Sequence, residues 1–511
     1  MPSTNQPSLK INALLNFIGL MYSSAVSILL LPFFLQYIGP QGFGLVGFFT
    51  VLHAWLQLLD IGMSPMLARS AAQARSTQNT TTFHKVLRSV QLVLLVIGLS
   101  AAASIFFNSK WIAQQWLHVD AGFSVAAAQA VVLMGFIIAL RLFAAVYRSA
   151  LQGWEAQVSV NIINMFFATL RYVGALLLLI FVTRDVVHFF CYQLSVTVLE
   201  VLCLHFYLYH KIPLLERLGF RFFHDTMKSV APFAASVAFA GVLWVVLTQL
   251  DKIVLSNILS LEEFGYLALA AAISGGILQL ASPVATAILP RLTSLYEQGK
   301  QAELIQLYRN ATQYVACIVI PLAGIIAAYP EEVLMVWSGN LRAAEFGSSL
   351  LFWLVLGNSV LSFSAFLYYL QHAHGRLRLH VLQNLTTAFV QIPTILLVAY
   401  SFGPLAVVRA WFIICLVSFV VWAPIVQSRF AGGLFRRWII HDILPALAAV
   451  LLPLTVLRYA ATFVSGLDRV ELACYLVVAY FIVLLCCIAS TRVRAPILSI
   501  LGVTAADVSR S

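Results

Sequence analysis

Long apolar stretches separated by short polar segments run through most of the chain. A bilayer core about 30 Å thick needs about 20 apolar residues in helical conformation, and fourteen stretches meet that length. They must be helices, because unpaired backbone groups in hydrocarbon are costly and the stretches lack the polar alternation of barrel strands. The pattern therefore predicts an all-α polytopic membrane protein with spans at 11–37, 43–63, 86–107, 124–147, 158–182, 186–209, 230–258, 264–290, 311–330, 350–370, 381–402, 404–427, 441–460 and 471–489.

The basic residues divide unevenly among the segments that connect these spans. With a cytoplasmic N-terminus, 21 of the 30 Lys and Arg residues lie in cytoplasmic segments. Only five lie in outside segments, namely Lys110, Arg184, Arg342, Arg458 and Arg469. Cytoplasmic loops of membrane proteins are enriched in Lys and Arg, so both termini are predicted to be cytoplasmic.

Composition supports the membrane assignment and excludes several classes of protein. The 511 residues are 61% hydrophobic and 10% charged, whereas soluble domains contain about 45–50% apolar and about 25% charged residues. The net charge of +11 does not indicate a nucleic-acid partner, because the basic residues are spread over short loops rather than one soluble face. The seven cysteines have neither metal-site spacing nor the pattern of a disulfide framework, and no cofactor is predicted.

Three sequence matches at nearly one offset indicate that the chain contains a duplicated six-helix unit. Phe43-Gly44 returns as Phe264-Gly265 at an offset of 221, and the segments 147–153 and 369–375 match at 222, as do Arg69 and Arg291. Because six is an even number of spans, the two repeats have the same orientation in the membrane. The predicted divisions are an N-terminal lobe at 1–209, a cytoplasmic linker at 210–229, a C-terminal lobe at 230–430, and two extra helices with a cytoplasmic tail at 431–511.

The polar segments contain no recognisable catalytic set. There is no Ser/His/Asp arrangement and no Gly-rich phosphate loop of the Walker type. His372, His374 and His380 do not share a helical face, so they do not indicate a metal site. The chain is therefore predicted not to be an enzyme.

Ionisable residues inside the spans are costly in lipid and usually face a cavity or a partner. The arginines suggest an anion site, because Arg141 and Arg148 are seven residues apart on one helical face and Arg171 lies near the middle of the fifth span. Guanidinium groups bind phosphate through paired hydrogen bonds. The predicted substrate-binding residues are Arg141, Arg148, Arg171, Lys252 and Arg409, and the predicted coupling-ion residues are Asp60, Asp251 and Glu200.

Some of these residues have structural alternatives. Glu200 lies at a depth similar to that of Arg171, and the two could simply form an ion pair. Asp60 and Arg409 lie near span ends, where a structural role is as reasonable as a functional one. Asp251 and Lys252 are adjacent and project about 100° apart on a helix, so at least one of them is expected to face a central cleft.

Several segments in a fixed order resemble bacterial polysaccharide flippases of the Wzx type. These O-antigen and exopolysaccharide translocases belong to the multidrug/oligosaccharidyl-lipid/polysaccharide (MOP) exporter superfamily. The resemblance covers roughly residues 10–430. Its segments are Leu31-Pro32, Ile38-Gly39, Phe43-Gly44-Leu45, Leu59-Asp60-Ile61-Gly62-Met63 with Arg69, Ala231-Pro232, Asp251-Lys252-Ile253-Val254-Leu255-Ser256, Phe264-Gly265-Tyr266, Leu289-Pro290-Arg291-Leu292, Trp337-Ser338-Gly339, Gly357-Asn358 and Leu370-Gln371.

The resemblance implies two six-helix bundles around a cationic lumen in a bacterial inner-membrane protein. It implies a polyprenyl-pyrophosphate-linked oligosaccharide as substrate, such as a lipopolysaccharide O-antigen or exopolysaccharide repeat unit. Transport would be secondary, driven by an ion gradient or the membrane potential. The implied partners are membrane lipid, a polysaccharide polymerase and the chain-length machinery. Fourteen spans rather than twelve are closer to the peptidoglycan-precursor flippases.

Three other functions remain open from sequence. A multidrug or small-solute exporter of the same superfamily is one, although a cation-drug exporter would be expected to carry carboxylates rather than arginines in its lumen. A flippase for a peptidoglycan precursor is the second. A membrane enzyme of glycan polymerisation or ligation is the third, and the short outside loops argue against it.

The charge bias makes a direct prediction about topology. Alkaline phosphatase fused after residue 342 is expected to be active, because that segment lies outside, and a fusion after residue 376 is expected to be inactive. Enzyme activity normalised to fusion abundance in intact cells is the measurement. The reverse pattern would contradict the assignment of the termini.

Overall fold

The computed structural model describes residues 9–212, 222–461 and 468–491, which form helices and contain no β-strand. The chain divides into two compact units, Met1–Ala268 and Leu269–Ser511. Part of the predicted linker, residues 213–221, lies outside the described residues, and the helix that follows begins at His224. The lobe boundaries given above stay predictions.

The first unit is built from eight helices and the start of a ninth in its described part. They are α1 (Leu9–Leu56), α2 (Met63–Thr77), α3 (Thr81–Trp111), α4 (Ser124–Gly153), α5 (Gln157–Thr169), α6 (Ala175–Phe181), α7 (Val186–Lys211), α8 (His224–Ile258) and the first turns of α9 (Leu261–Glu297).

The second unit contains the rest of α9 and all later helices of the described chain. They are α10 (Gln301–Ala328), α11 (Pro330–Ser338), α12 (Leu341–Ala373), α13 (Arg378–Phe402), α14 (Pro404–Phe430), α15 (Phe435–Trp438), α16 (Leu444–Ala461) and α17 (Arg469–Ser490).

Thirteen helical segments of the described chain are long and apolar enough to cross a membrane. The difference from fourteen arises in α1, whose 48 residues include the first predicted span and most of the second. At 1.5 Å per residue this helix would be about 72 Å long, more than twice the thickness of a bilayer core. It is interrupted at Gly39, whose φ of 80° suits glycine, and Pro40 follows with no N–H to donate. The predicted all-α polytopic fold is confirmed.

The two units pack their helices in the same order, as expected for a duplicated fold. In the first unit, α4 packs against both α3 and α7. In the second unit, α12 packs against α10 and α14 in the corresponding way. Large apolar side chains fill the space around these central helices, including Phe83 and Phe190 in the first unit and Phe366 and Trp411 in the second.

A buried ion pair joins the C-terminal helices to the rest of the second unit. Asp442, which is 1% exposed, precedes α16 and accepts hydrogen bonds from Arg309 Nε at 2.7 Å and Nη2 at 3.0 Å. Gln313, one turn further along α10, donates to the same carboxylate at 2.6 Å. Helices α16 and α17 both pack against α10. The carboxylate is therefore fully compensated at the point where the added helices join the bundle.

Removing this carboxylate should destabilise the protein. Breaking a buried pair from one side leaves an uncompensated charge, so Asp442→Ala is expected to lower the free energy of unfolding by about 3–5 kcal/mol. Glu332→Ala breaks the more exposed pair with Arg458 and is expected to cost at most about 1 kcal/mol. Denaturant unfolding of the purified protein in detergent measures both. Equal effects would contradict the structural role of Asp442.

Candidate functional site

A polar cavity lies within the first unit, among α1, α4, α5 and α7. Its volume is about 640 Å³, within the range of small-molecule sites in proteins. The lining is hydrophilic although the surrounding helices are apolar. It consists mainly of hydroxyl, amide and charged groups, from Ser23, Ser24, Ser27, Arg148, Gln152, Gln157, Asn161, Asn164, Arg171, Tyr172 and Glu200.

A buried glutamate holds two arginines at this cavity. Glu200 on α7 is only 1% exposed. Its Oε1 accepts a hydrogen bond from Arg148 Nη1 of α4 at 3.1 Å, and its Oε2 accepts one from Arg171 Nη2. Each arginine therefore uses a different oxygen of one carboxylate. The side chains of Arg148 and Arg171 are 28% and 17% exposed, so both guanidinium groups also reach the cavity.

Arg171 is positioned by a break in regular helix. Residues Leu170–Gly174 form a π-helical turn between α5 and α6, a feature that is frequent at functional sites. Such a turn changes the hydrogen bonding of the backbone, and α7 supplies two donors to it. Tyr192 Oη donates to the carbonyl of Leu170 at 2.8 Å, and Gln193 Nε2 donates to the carbonyl of Arg171 at 3.0 Å. Helix α7 therefore fixes both the backbone of Arg171 and its side chain.

Arg141 lies on the same face of α4, about 10 Å from Arg148 along the helix axis. Its guanidinium carbon is 4.9 Å from the centroid of the Phe49 ring. Its Nε is buried, with no hydrogen-bond partner in the described residues. Arg141 also interacts electrostatically with Arg171 and Glu200. Arg148 and Arg171 contact the carboxylate and Arg141 lies nearby, so these three arginines and Glu200 together carry an excess of two positive charges.

Asp251 and Lys252, the adjacent charged residues on α8, form an ion pair with each other. Asp251 is fully buried, and Lys252 Nζ lies 3.2 Å from both of its carboxylate oxygens. The same ammonium group donates to the carbonyl of Thr248 at 2.8 Å. Neither Asp251 nor Lys252 lines the polar cavity.

The remaining two predicted site residues have local contacts away from the cavity. Asp60 accepts hydrogen bonds from the backbone N–H of Ser64 at 3.2 Å and from its hydroxyl at 2.9 Å, in the first turn of α2. Arg409 belongs to the second unit and is exposed, with its guanidinium carbon 5.4 Å from the centroid of the Trp353 ring. The structure therefore brings together Arg148, Arg171 and Glu200, with Arg141 nearby, and leaves Asp60, Asp251, Lys252 and Arg409 outside this cavity.

A scan against protein families matches residues 9–296 to the family described as polysaccharide biosynthesis protein. The match covers more than half of the chain. The chain belongs to the polysaccharide biosynthesis protein family. This confirms the resemblance drawn from the sequence.

Solved structures with the same fold include transporters of the MOP superfamily. An inward-facing multidrug resistance transporter of the MATE family matches with a TM-score of 0.65 and 13% identity, over 82% of this chain and 98% of its own. The lipid II flippase MurJ, in an inward closed conformation, matches with a TM-score of 0.64 and 11% identity, over 93% and 98%. A MOP transporter from Pyrococcus furiosus, described as having a binding pocket of reverse polarity, matches with a TM-score of 0.57 and 14% identity, over 83% and 96%. No curated protein sequence matched the chain.

In this polysaccharide biosynthesis protein, the cavity also contains residues that the sequence reasoning did not select. Gln157, Asn161 and Asn164 follow one another at intervals of four and three residues, and Ser23 and Ser27 are four apart. Those intervals place each set on one helical face. A polar stripe at this spacing within an apolar span was the signal that could have identified them.

The contacts of Asp60 generate a test of its role. Asn accepts backbone hydrogen bonds at a helix start about as well as Asp, whereas Ala accepts none. Replacing such a side chain by Ala lowers the free energy of unfolding by about 0.5–2 kcal/mol. If the Ser64 contacts are the role of Asp60, Asp60→Asn should retain stability and restore surface polysaccharide in a deletion strain, and Asp60→Ala should be less stable. A stable Asp60→Asn protein that does not restore polysaccharide would instead support the predicted role in ion coupling.

Proposed function

We propose that the protein is a flippase that moves a polyprenyl-pyrophosphate-linked oligosaccharide from the cytoplasmic to the periplasmic leaflet of the bacterial inner membrane. The observation that carries the proposal is the pair of arginines, Arg148 and Arg171, held by buried Glu200 at a polar cavity within apolar helices. The membership of the polysaccharide biosynthesis family and the fold shared with lipid and drug transporters support it.

The charge of the cargo is the main obstacle to its passage. A phosphate group in hydrocarbon is prohibitively unfavourable unless cations and hydrogen bonds replace its water. Guanidinium groups suit this task because they present several donors in a planar fork that matches phosphate oxygens. Arg148 and Arg171 would bind the pyrophosphate, and Arg141 would provide the next cation along α4. Lys252 and Arg409 remain proposed contacts of the substrate outside this cavity.

The amide and hydroxyl wall of the cavity suits the sugar part of the same cargo. Asn161 and Asn164 on α5, and Ser23 and Ser27 on α1, line the cavity close to the arginines. Such groups both donate and accept hydrogen bonds, as sugar hydroxyls do. We propose that they contact the sugar next to the pyrophosphate while the polyprenyl chain stays in the lipid.

We further propose that transport proceeds by alternating access and is driven by the membrane potential or an ion gradient. With a negative interior, each negative charge that moves outward gains about 2.3 kcal/mol per 100 mV. Coupling to an ion would involve Asp60, Asp251 or Glu200.

The fold is shared with drug exporters, so the choice of cargo depends on the charge of the site. The excess of two positive charges among Arg141, Arg148, Arg171 and Glu200 favours an anionic cargo and disfavours a cationic drug. This is the opposite of what a cation exporter requires.

Substitution of the two cavity arginines tests the proposal. Arg148→Ala and Arg171→Ala are each expected to reduce transport about 10- to 100-fold, because each removes hydrogen bonds to a charged group worth about 1.5–3 kcal/mol. The measurement is surface polysaccharide in a deletion strain that expresses each variant at wild-type abundance.

Arg184→Ala is the control, because Arg184 is an exposed arginine of the first unit whose guanidinium carbon lies 5.6 Å from the Tyr37 ring centroid and which does not line the cavity. It should retain activity. Full activity of both cavity variants, in proteins that insert normally, would remove the arginines from the path and leave them as structural partners of Glu200.

A further inference from the structure

Glu200 uses the same donors that an anionic cargo would need. Its Oε1 is bound to Arg148 and its Oε2 to Arg171, and the carboxylate is almost fully buried behind the cavity. A carboxylate and a phosphate offer similar oxygen pairs to guanidinium groups. A phosphate that bound beside an ionised Glu200 would place like charges within a few ångströms of each other in a medium of low dielectric constant. Cargo and carboxylate therefore compete for one pair of arginines.

The groups that face Glu200 offer few other ways to compensate its charge. Helix α7 packs against α4, α5, α6 and the π-helical turn. By sequence, α5 and α6 carry no titratable residue. The titratable groups on α4 and in the turn are Arg141, Tyr147, Arg148, Arg171 and Tyr172. Besides Glu200, α7 carries Tyr192, Cys203 and His205, and nearer its two ends His188, Cys191, Tyr207, Tyr209, His210 and Lys211. Helix α1 adds Tyr22 beside α5, and His53 near the arginines.

Two further cations are among these groups. Lys211 lies eleven residues, about 16 Å, along α7 from Glu200, and Arg141 lies about 10 Å from Arg148 along α4. Its guanidinium group stacks on Phe49. A carboxylate that left Arg148 and Arg171 while remaining 1% exposed would be a buried charge without a partner, which is strongly unfavourable. Transfer of a proton from an acid of the bulk solution, a hydronium ion or a buffer acid, removes that charge. The O–H or N–H bond of the donor breaks as a new O–H bond forms at one carboxylate oxygen.

We infer that Glu200 is an internal counter-anion, which the phosphate of the cargo displaces from Arg148 and Arg171 as the released carboxylate takes up one proton. The inference rests on the proposed function and assigns Glu200 a specific role within it. In the empty protein Glu200 pairs with both arginines, and after the cargo leaves it returns to them and loses its proton. Binding of the anion and protonation are then a single linked event.

Binding of a short-chain probe to the purified full-length protein tests this exchange. The probe is farnesyl diphosphoglucose, whose diphosphate diester has no group that titrates between pH 5 and 8. Calorimetry in buffers of different ionisation heat gives both the Kd and the number of protons taken up. The wild type should take up about one proton, and its Kd should rise about tenfold per pH unit where that uptake is complete.

The variant Glu200→Gln keeps the shape of the side chain and removes its charge. It should bind the probe at least tenfold more tightly than the wild type at pH 7.5, take up no proton and change its Kd less than twofold with pH. Glu332→Gln is the control, because Glu332 also pairs with an arginine, Arg458, but in the second unit. It should behave as the wild type does.

The exchange at Glu200 and the proposed function are overturned by different results. Weaker binding by Glu200→Gln, or binding to the wild type without proton uptake, overturns the exchange. If Glu200→Gln does not fold, the proton count of the wild type decides alone. The proposed function fails separately if the wild type does not bind the probe, or if Arg148→Ala and Arg171→Ala bind it as tightly as the wild type does.

Discussion

The bridge from Arg148 through Glu200 to Arg171 is the interaction on which the account of this protein depends. Buried ionic groups are expensive in a membrane, and they persist only where they are paired or functional. Here the three groups come from α4, the π-helical turn and α7, so the bridge also ties three parts of the first unit together. The same arginines reach a polar cavity. A structural ion pair and a candidate anion site therefore share the same atoms.

The surrounding elements are arranged to maintain this bridge. The π-helical turn places Arg171 toward α7, and two α7 side chains satisfy the backbone around it. The amides of α5 extend the polar surface away from the charges, and Asn164 Oδ1 lies 3.5 Å from Arg148 Nη1. A glycan attached to an anionic group suits this arrangement, because the arginines can bind the anionic group while the neighbouring amides bind the sugar. The family membership and the transporter fold are consistent with that cargo, whereas the fold alone is shared with drug exporters.

Much of the fold was predictable, because apolar length determines where a chain can cross a bilayer. The all-α polytopic class followed from this length alone. The Gly39-Pro40 pair predicts a loop between the first two spans, and the structure instead has a kink there, with helical residues directly on both sides. The helix α2 was also missed, because its sequence is too polar for a span. The pair of Arg309 and Asp442 is separated by 133 residues, and no local pattern connects such partners.

The site was predictable in part, for similar reasons. Charged residues within spans are rare, so Arg171 and Glu200 stood out, and their pairing was one of two alternatives. Arg148 was placed at a span end and was identified through its spacing from Arg141. The amides of α5 are uncharged and were overlooked, although their helical spacing was visible. The contact of Asp251 with its own neighbour Lys252 depends on side-chain conformation, which helical projection alone does not give.

Whether this protein translocates a lipid-linked glycan can be measured in a strain that lacks it. The quantity to determine is the amount of completed lipid-linked glycan in each leaflet of the inner membrane. Without the flippase, completed repeat units should accumulate on the cytoplasmic leaflet and surface polysaccharide should be lost, because translocation is the missing step. Completed units that reach the periplasmic leaflet but remain unpolymerised would contradict it and indicate an enzyme of glycan assembly. Unchanged pools in both leaflets would contradict it as well and indicate an exporter of a different solute.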